Sequence, residues 1–232
     1  MSVATTILQL KSELPSNVTL VAVSKFHPAE SVMEAYNAGQ RCFGESRPQE
    51  LAAKALQVHQ WLHSRGLQDD IDWHFIGHLQ TNKLKLVLPY VTMVQSVDSV
   101  RLLDAIEKWE GQHDSEVDVL LEYHVAEEIT KQGFSAQEIR DILSDKTSKY
   151  PHIRFRGLMG MATNTDNEDV IHSDFERIKT LFGELKALVG QTPQMTERFD
   201  TMSFGMSSDY QLAVEMGSDM VRIGTMIFGT RE

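Results

Sequence analysis

Three short segments carry residues able to do chemistry. The first is Val21-Ala22-Val23-Ser24-Lys25-Phe26, where Lys25 stands just beyond an apolar run. A lysine at the end of a buried strand is partly desolvated, which frees its amine to attack a carbonyl carbon. The bland alternative is a lysine whose stem lies on apolar surface while its ammonium reaches water. The second segment is Ser203-Phe204-Gly205-Met206-Ser207-Ser208-Asp209, ahead of a helical pattern. Its small residues, glycine and hydroxyls offer exposed N–H groups and close backbone approach to an anion. They could equally cap a helix that binds nothing. The third segment, Val221-Arg222-Ile223-Gly224-Thr225, also ends an apolar run with a glycine and a hydroxyl. Arg222 inside that run calls for a carboxylate or a ligand, because a buried charge without a partner is costly.

Such residues act together only if the chain folds them to one place. Eight β-rich runs recur, at Val18–Val23, Arg41–Phe43, Trp73–Ile76, Val91–Gln95, Val117–Leu121, Ile153–Leu158, Phe199–Ser203 and Met220–Ile223. Several are apolar on successive residues, as strands covered on both faces are. Helical patterns fill the gaps. Ile171, Phe175, Ile178, Phe182, Leu185 and Val189 make one stripe, and Leu102, Ile106 and Trp109 a shorter one. Ser135 with Glu138 forms a capping box, Pro28 and Pro48 suit first helical turns, and Gly39 and Gly217 suit helix C-termini. Ile7, Leu8 and Leu10 predict an extra helix before the first strand. Strands alternating with helices give right-handed crossovers and a parallel sheet. Eight units at roughly 29 residues each fit a (β/α)8 TIM-type barrel better than a doubly wound open sheet. No linker divides the chain, so residues 1–232 read as a single domain. In a barrel, function sits at the C-terminal ends of strands, and phosphate sites commonly form after strands seven and eight. Strand one closes against strand eight, so Lys25, the two loops and Arg222 converge on one pocket. Met159, Met161, Met202 and Met206 lie near strand ends and are candidate lining.

Composition narrows the class. The chain has 232 residues, with 22 Lys plus Arg against 33 Asp plus Glu, a formal charge of −11. Its pI near 5.3 argues against a nucleic-acid binder. One cysteine, Cys42, excludes an intramolecular disulfide and a Cys-based zinc site, and reads as a small buried hydrophobe. His59 with His63 and His74 with His78 have helical metal spacing but no accompanying glutamate, which favours structural or surface roles. No nucleotide-loop fingerprint occurs. No apolar run reaches the roughly 20 residues of a membrane span, and the N-terminus lacks signal-peptide features. A cytoplasmic protein is expected. Acidic charge and the lack of an exposed apolar stripe point to a monomer.

The residues also resemble a known family. VAVSKFHP, RCFGESRPQE, WHFIGHLQTNK, SVDS, Lys131-Gln132-Gly133, RGLMGMAT, MSFGMSSD and MVRIGTMIFG occur in the order found in the pyridoxal-phosphate homeostasis protein family. The resemblance covers nearly the whole chain. It implies a barrel like the N-terminal domain of alanine racemase, a fold type III barrel without the C-terminal β-domain, holding pyridoxal 5′-phosphate (PLP). It assigns the Schiff base with PLP to Lys25. Ser207, the Met206 backbone, Gly224 and Thr225 would hold the phosphate, and Arg222 would face the pyridine nitrogen. One position departs from the pattern: many relatives have Asn where this chain has Ser46, which removes an amide from the surroundings of the cofactor.

Three functions follow from different classes. The first is a PLP carrier and regulator that passes cofactor to apo PLP-dependent enzymes, without strong catalysis. Racemisation needs proton transfer on two faces, and the chain ends at Glu232, too soon for the domain that supplies the second acid/base in racemases. The second is a weak amino-acid racemase or lyase, with His78 or Tyr123 as the missing proton-transfer group. The third is a barrel for another phosphorylated metabolite, with Lys25 as a charge only. The first is the expected function, with no catalytic residues assigned.

Overall fold

The strands are β1 (Thr19–Val23), β2 (Cys42–Glu45), β3 (Asp72–Phe75), β4 (Met93–Val97), β5 (Val117–Tyr123), β6 (Ile153–Gly160), β7 (Thr201–Met206) and β8 (Met220–Ile223). They pair in that order, all parallel, and β8 closes onto β1. This is the expected (β/α)8 barrel. The computed structural model describes residues 2–125, 132–145, 147–190 and 198–230. Lys131, part of one resembling segment, lies outside the described residues.

The helices are α1 (Val3–Glu13), α2 (Ala29–Asn37), α3 (Pro48–Ser64), α4 (Val100–His113), α5 (Ala136–Asp145), α6 (Glu168–Val189), α7 (Tyr210–Glu215) and α8 (Thr225–Phe228). Their apolar stripes explain their seating. Ile171, Phe175, Ile178, Phe182, Leu185 and Val189 of α6 are all buried against the barrel, each contributing roughly 1.5–3 kcal/mol relative to exposure. On α4, Leu102 and Ile106 are buried, while Trp109 is half-buried and stacks on His113 at 3.7 Å. The α1 helix precedes β1 as predicted, with Ile7 and Leu10 buried and Leu8 exposed.

Local signals mostly behave as their chemistry requires. The Ser135 N–H donates to Glu138 Oε2 at 2.8 Å, and the Glu138 N–H donates back to Ser135 Oγ at 3.3 Å. Pro48 is the first residue of α3, but Pro28 caps α2 from extended backbone instead of entering its first turn. Gly39 and Gly217 follow α2 and α7 at φ +87° and +93°, which other residues adopt only with strain. Between β3 and β4 the crossover uses a 3-10 segment, Thr81–Leu86. Among the described residues no helix is long and apolar enough to cross a membrane.

Two apolar regions result. The large one fills the space between strands and helices. A separate small one, Met93, Leu120 and Met159 with Met161 and Met220 against it, joins four strands inside the barrel. Met159 thus belongs to the interior packing, and Met202 to the strand–helix core, 9% exposed.

Candidate functional site

At the C-terminal mouth a cavity of about 630 Å³ is lined by Lys25, Met206, Ser207, Arg222, Gly224 and Thr225, the six residues singled out from sequence. That volume is typical of a small-molecule site. Met161 also lines it, as do His27, Ile76 and Met226, which sequence reasoning missed. His27 was visible only as a neighbour two residues beyond Lys25. Its ring centroid lies 5.4 Å from that of Phe228 on α8. Burial and Lys54 push its pKa down, with Glu50 opposing.

Lys25 is half-buried, and its two neighbours in the chain are clamped from α3. Lys54, 4% exposed, donates to Ser24 O at 2.8 Å, to Glu45 Oε1 at 2.5 Å and to Glu50 Oε1 at 3.0 Å. Glu45 Oε1 also accepts from Ser24 Oγ at 2.6 Å. On the other side, the Phe26 N–H donates to Glu50 Oε1 at 2.5 Å. Phe26 sits at φ +69°, a conformation costing on the order of 1–2 kcal/mol for a non-glycine residue. The network holds that turn and so directs the Lys25 side chain. Burial drives the Glu45 carboxyl above the usual range, against the pull of Lys54. Glu45 Oε2 is buried with no hydrogen-bond partner among the described residues. The Glu50–Lys54 spacing of four was readable on a helix, but its burial was not.

The loops after β7 and β8 interlock. The Gly224 N–H donates to Ser207 Oγ at 3.3 Å. The Met206 N–H donates to Asp209 Oδ1 at 2.5 Å, so an anion can use that N–H only by displacing the carboxylate. Gly205 takes φ +96°, and a Cβ there would lie 2.4 Å from Ala213 Cβ. A Cβ on Gly224 would lie 3.0 Å from Val23 O, so the small residue lets β8 pass close to β1.

Arg222 stands opposite Val21 in the β1–β8 register and is 5% exposed. It donates through Nη1 to Ser203 O at 2.8 Å and Ser203 Oγ at 2.7 Å, and through Nη2 to Gly160 O at 3.0 Å. Burial lowers its pKa to about 10, with Glu122 and Asp209 opposing, so it stays charged at neutral pH. Glu122, 6% exposed on β5, was not foreseen. Burial and Asp98 raise it to about 7, while Arg222 and His78 pull it down. His78 is exposed and its Nδ1 lies 2.9 Å from Asp98 Oδ2. Tyr123 lines a different groove with α5 and α6 residues. Neither of these two candidate proton carriers is among the residues lining the cavity. Ser46 is not among them either; it backs Gly77, where a Cβ would lie 2.3 Å from Ser46 O. His59 contacts Asp69 and His74 is buried, and no metal-binding cluster occurs among the described residues.

The parallel eightfold barrel, with an amine after β1, loops of small and hydroxyl residues after β7 and β8, and a buried arginine on β8 around one cavity, is a TIM-type barrel with a small-molecule site at its C-terminal mouth. The family described as "Alanine racemase, N-terminal domain" matches residues 2–232. Alanine racemase of Clostridium difficile shares the fold at a TM-score of 0.72 and 13% identity, over 99% of this chain and 56% of that one. More similar is PipY of Synechococcus elongatus without PLP, at 34% identity and a TM-score of 0.88, over 98% of this chain and 100% of that one. Its form with PLP bound aligns at 33% identity and a TM-score of 0.85, over the same shares of both chains. The pyridoxal phosphate homeostasis protein of Haemophilus influenzae is 35% identical over 93% of this chain and 86% of its own length. That of Bos taurus is 39% identical, over 92% and 77%. The chain belongs to the pyridoxal phosphate homeostasis protein family.

Proposed function

We propose that this chain binds pyridoxal 5′-phosphate in the cytoplasm, as a monomer of one domain, and supplies or buffers it for other proteins. The observation that carries the reading is one cavity lined by an amine, three hydroxyls, a close-approach glycine and a buried guanidinium. These groups match a small molecule with an aldehyde, a phosphate and a ring nitrogen. When bound, the cofactor supplies an aldehyde that condenses with a primary amine and a ring that withdraws electrons.

The chain's own residues then divide the work. Lys25 would give the amine and hold the cofactor through it. Ser207 and Thr225 would give hydroxyls to the phosphate, and the Gly224 and Met206 N–H groups would join them on leaving Ser207 Oγ and Asp209 Oδ1. The interlocked loops keep these groups together, and binding exchanges the Asp209 carboxylate on the Met206 N–H for the phosphate. Arg222 would offer an N–H to the ring nitrogen while staying protonated, so it would not hand its proton over. That favours holding the cofactor over carbanion chemistry. Recipients are apo PLP-dependent enzymes.

The test is an absorption spectrum with added PLP, followed by borohydride reduction and peptide mapping. A visible band that reduces to a pyridoxyl group on Lys25, and is lost in Lys25→Ala, supports the reading. An adduct scattered over surface lysines overturns it. Recovery of apo enzymes faster than free release of PLP supports supply. Lys25-dependent exchange of an amino acid's α-hydrogen with solvent overturns the non-catalytic part.

A further inference from the structure

Inside the barrel four polar side chains from four strands form one line of hydrogen bonds. Arg222 of β8 donates to Ser203 Oγ on β7 at 2.7 Å. Ser203 Oγ donates to Gln95 Oε1 on β4 at 2.7 Å. Gln95 Nε2 lies 2.7 Å from His74 Nδ1 on β3. His74 and Arg222 are each 5% exposed, and Gln95 and Ser203 are fully buried.

The direction of every bond in this line is fixed. A guanidinium only donates, so Ser203 Oγ accepts from it, and the hydroxyl's own proton goes to Gln95 Oε1. Gln95 then presents its carbonyl oxygen to Ser203 and its amide N–H to His74. His74 Nδ1 must accept, which places the imidazole proton on Nε2. Burial lowers the His74 pKa to about 4, so the ring is neutral and Nδ1 stays an acceptor. A polar group merely filling space has no reason to sit at the centre of such a one-way chain. Gln95 touches the cavity nowhere, yet it fixes the hydroxyl against which the guanidinium rests.

We infer that Gln95 is a positioning residue for Arg222, acting through Ser203, so that the guanidinium meets the ring nitrogen of a bound cofactor from one direction. This rests on the reading of the cavity as a PLP site. Gln95→Met keeps the volume and removes both hydrogen bonds. Gln95→Glu keeps an acceptor for Ser203 and offers a second oxygen to His74, whose proton then moves to Nδ1. Ser203→Ala removes the relay with a smaller change and serves if Gln95→Met does not fold.

The full-length chain and its variants are titrated separately with PLP and with inorganic phosphate, and the His74 tautomer is read by ¹⁵N NMR without ligand. Gln95→Met and Ser203→Ala should weaken PLP binding about ten-fold, the effect of one or two lost hydrogen bonds. Their absorption bands should shift while Lys25 remains the labelled lysine. Phosphate affinity should hold, since the loops after β7 and β8 are untouched. Gln95→Glu should recover PLP affinity and move the His74 proton from Nε2 to Nδ1. Parallel loss of phosphate and PLP affinity would mark Gln95 as a packing residue and overturn the inference. So would a Gln95→Glu chain that behaves like Gln95→Met, or a wild-type His74 protonated on Nδ1. A wild-type chain that never labels at Lys25 overturns the PLP reading instead, and the NMR result still judges the relay.

Discussion

Lys54→Met is the sharpest probe of how the Lys25 turn is held. Lys54 is the cation paired with Glu45, whose side chain is fully buried and whose second oxygen already lacks a partner among the described residues. Removing the ammonium strands a carboxylate, and breaking a buried pair in this way typically costs about 3–5 kcal/mol. The stranded group has one escape, which is to take up a proton. Protonating a carboxyl of ordinary affinity costs about 3.7 kcal/mol at pH 7 but only about 1 kcal/mol at pH 5. The electrostatic penalty is therefore capped near those values. Loss of the hydrogen bond to Ser24 O adds about 1 kcal/mol at either pH. The sign follows from linkage. Glu45 in the folded variant binds a proton more tightly than in the unfolded chain, so its stability relative to wild type falls as pH rises from about 4.5. Urea unfolding at pH 5 and pH 7 measures this directly. Lys54→Met should lose about 4–5 kcal/mol at pH 7 and about 2 kcal/mol at pH 5. Adding Glu45→Gln should recover most of the loss at pH 7. An equal penalty at both pH values would refute the reasoning, because it would mean Glu45 is never left as an unpaired charge.

Two further outcomes are expected. Burial holds His74 near pH 4, below its unfolded value of about 6.5, so the unfolded chain takes up the proton first on acidification. Stability present above pH 6.5 should be lost as pH falls toward 4, by about 3 kcal/mol. His74→Gln should flatten that part of the urea-midpoint profile, and parallel profiles would count against a buried neutral ring. Gly205→Ala places a Cβ 2.4 Å from Ala213 Cβ at a φ of +96°, which should cost about 1–3 kcal/mol and displace the Met206–Ser207 loop. Phosphate titration should weaken along with the urea midpoint, and an unmoved midpoint would remove the steric argument.

What the sequence made legible divides along physical lines. Strand positions were readable because the barrel is covered on both faces, and Met220–Ile223 was located to the residue; β2, β4, β5, β6 and β7 run two or three residues past their apolar runs, because pairing continues through glycine and polar residues at the mouth. The β7 run begins two residues later than its apolar pattern, because Phe199 packs in the strand–helix core without joining the ladder. The six cavity residues were found because fold topology says which strand ends meet. Arg222 was expected to meet a carboxylate or a ligand; within the described residues its hydrogen bonds go to Ser203 and to the Gly160 carbonyl, not to a carboxylate. Glu45, Lys54 and Glu122 stayed hidden. A charged residue in sequence looks solvated until another element is known to cover it.

The two ends of the barrel use charge in opposite ways. At the N-terminal end Asp118 pairs with both Arg154 and Arg156, and Arg156 continues to Asp200 at 3.1 Å. These charges neutralise one another across β5, β6 and β7, and as a partly exposed network they contribute modestly to stability. At the C-terminal end the pairing is left incomplete. Arg222 makes no hydrogen bond to a carboxylate among the described residues, although Glu122 and Asp209 are near enough to influence it. Burial, helped by Asp98, raises the Glu122 carboxyl to about 7 against the pull of Arg222 and His78. A site built this way keeps its charges available to a ligand that brings its own phosphate and ring nitrogen. The buried clamp on Lys25 and the relay behind Arg222 supply the rigidity that ion pairs across the mouth would otherwise give. Replacing Arg156 should therefore shift the unfolding midpoint and leave ligand affinity alone, whereas replacing Ser203 should lower both, because Arg222 and Gln95 each lose a buried partner.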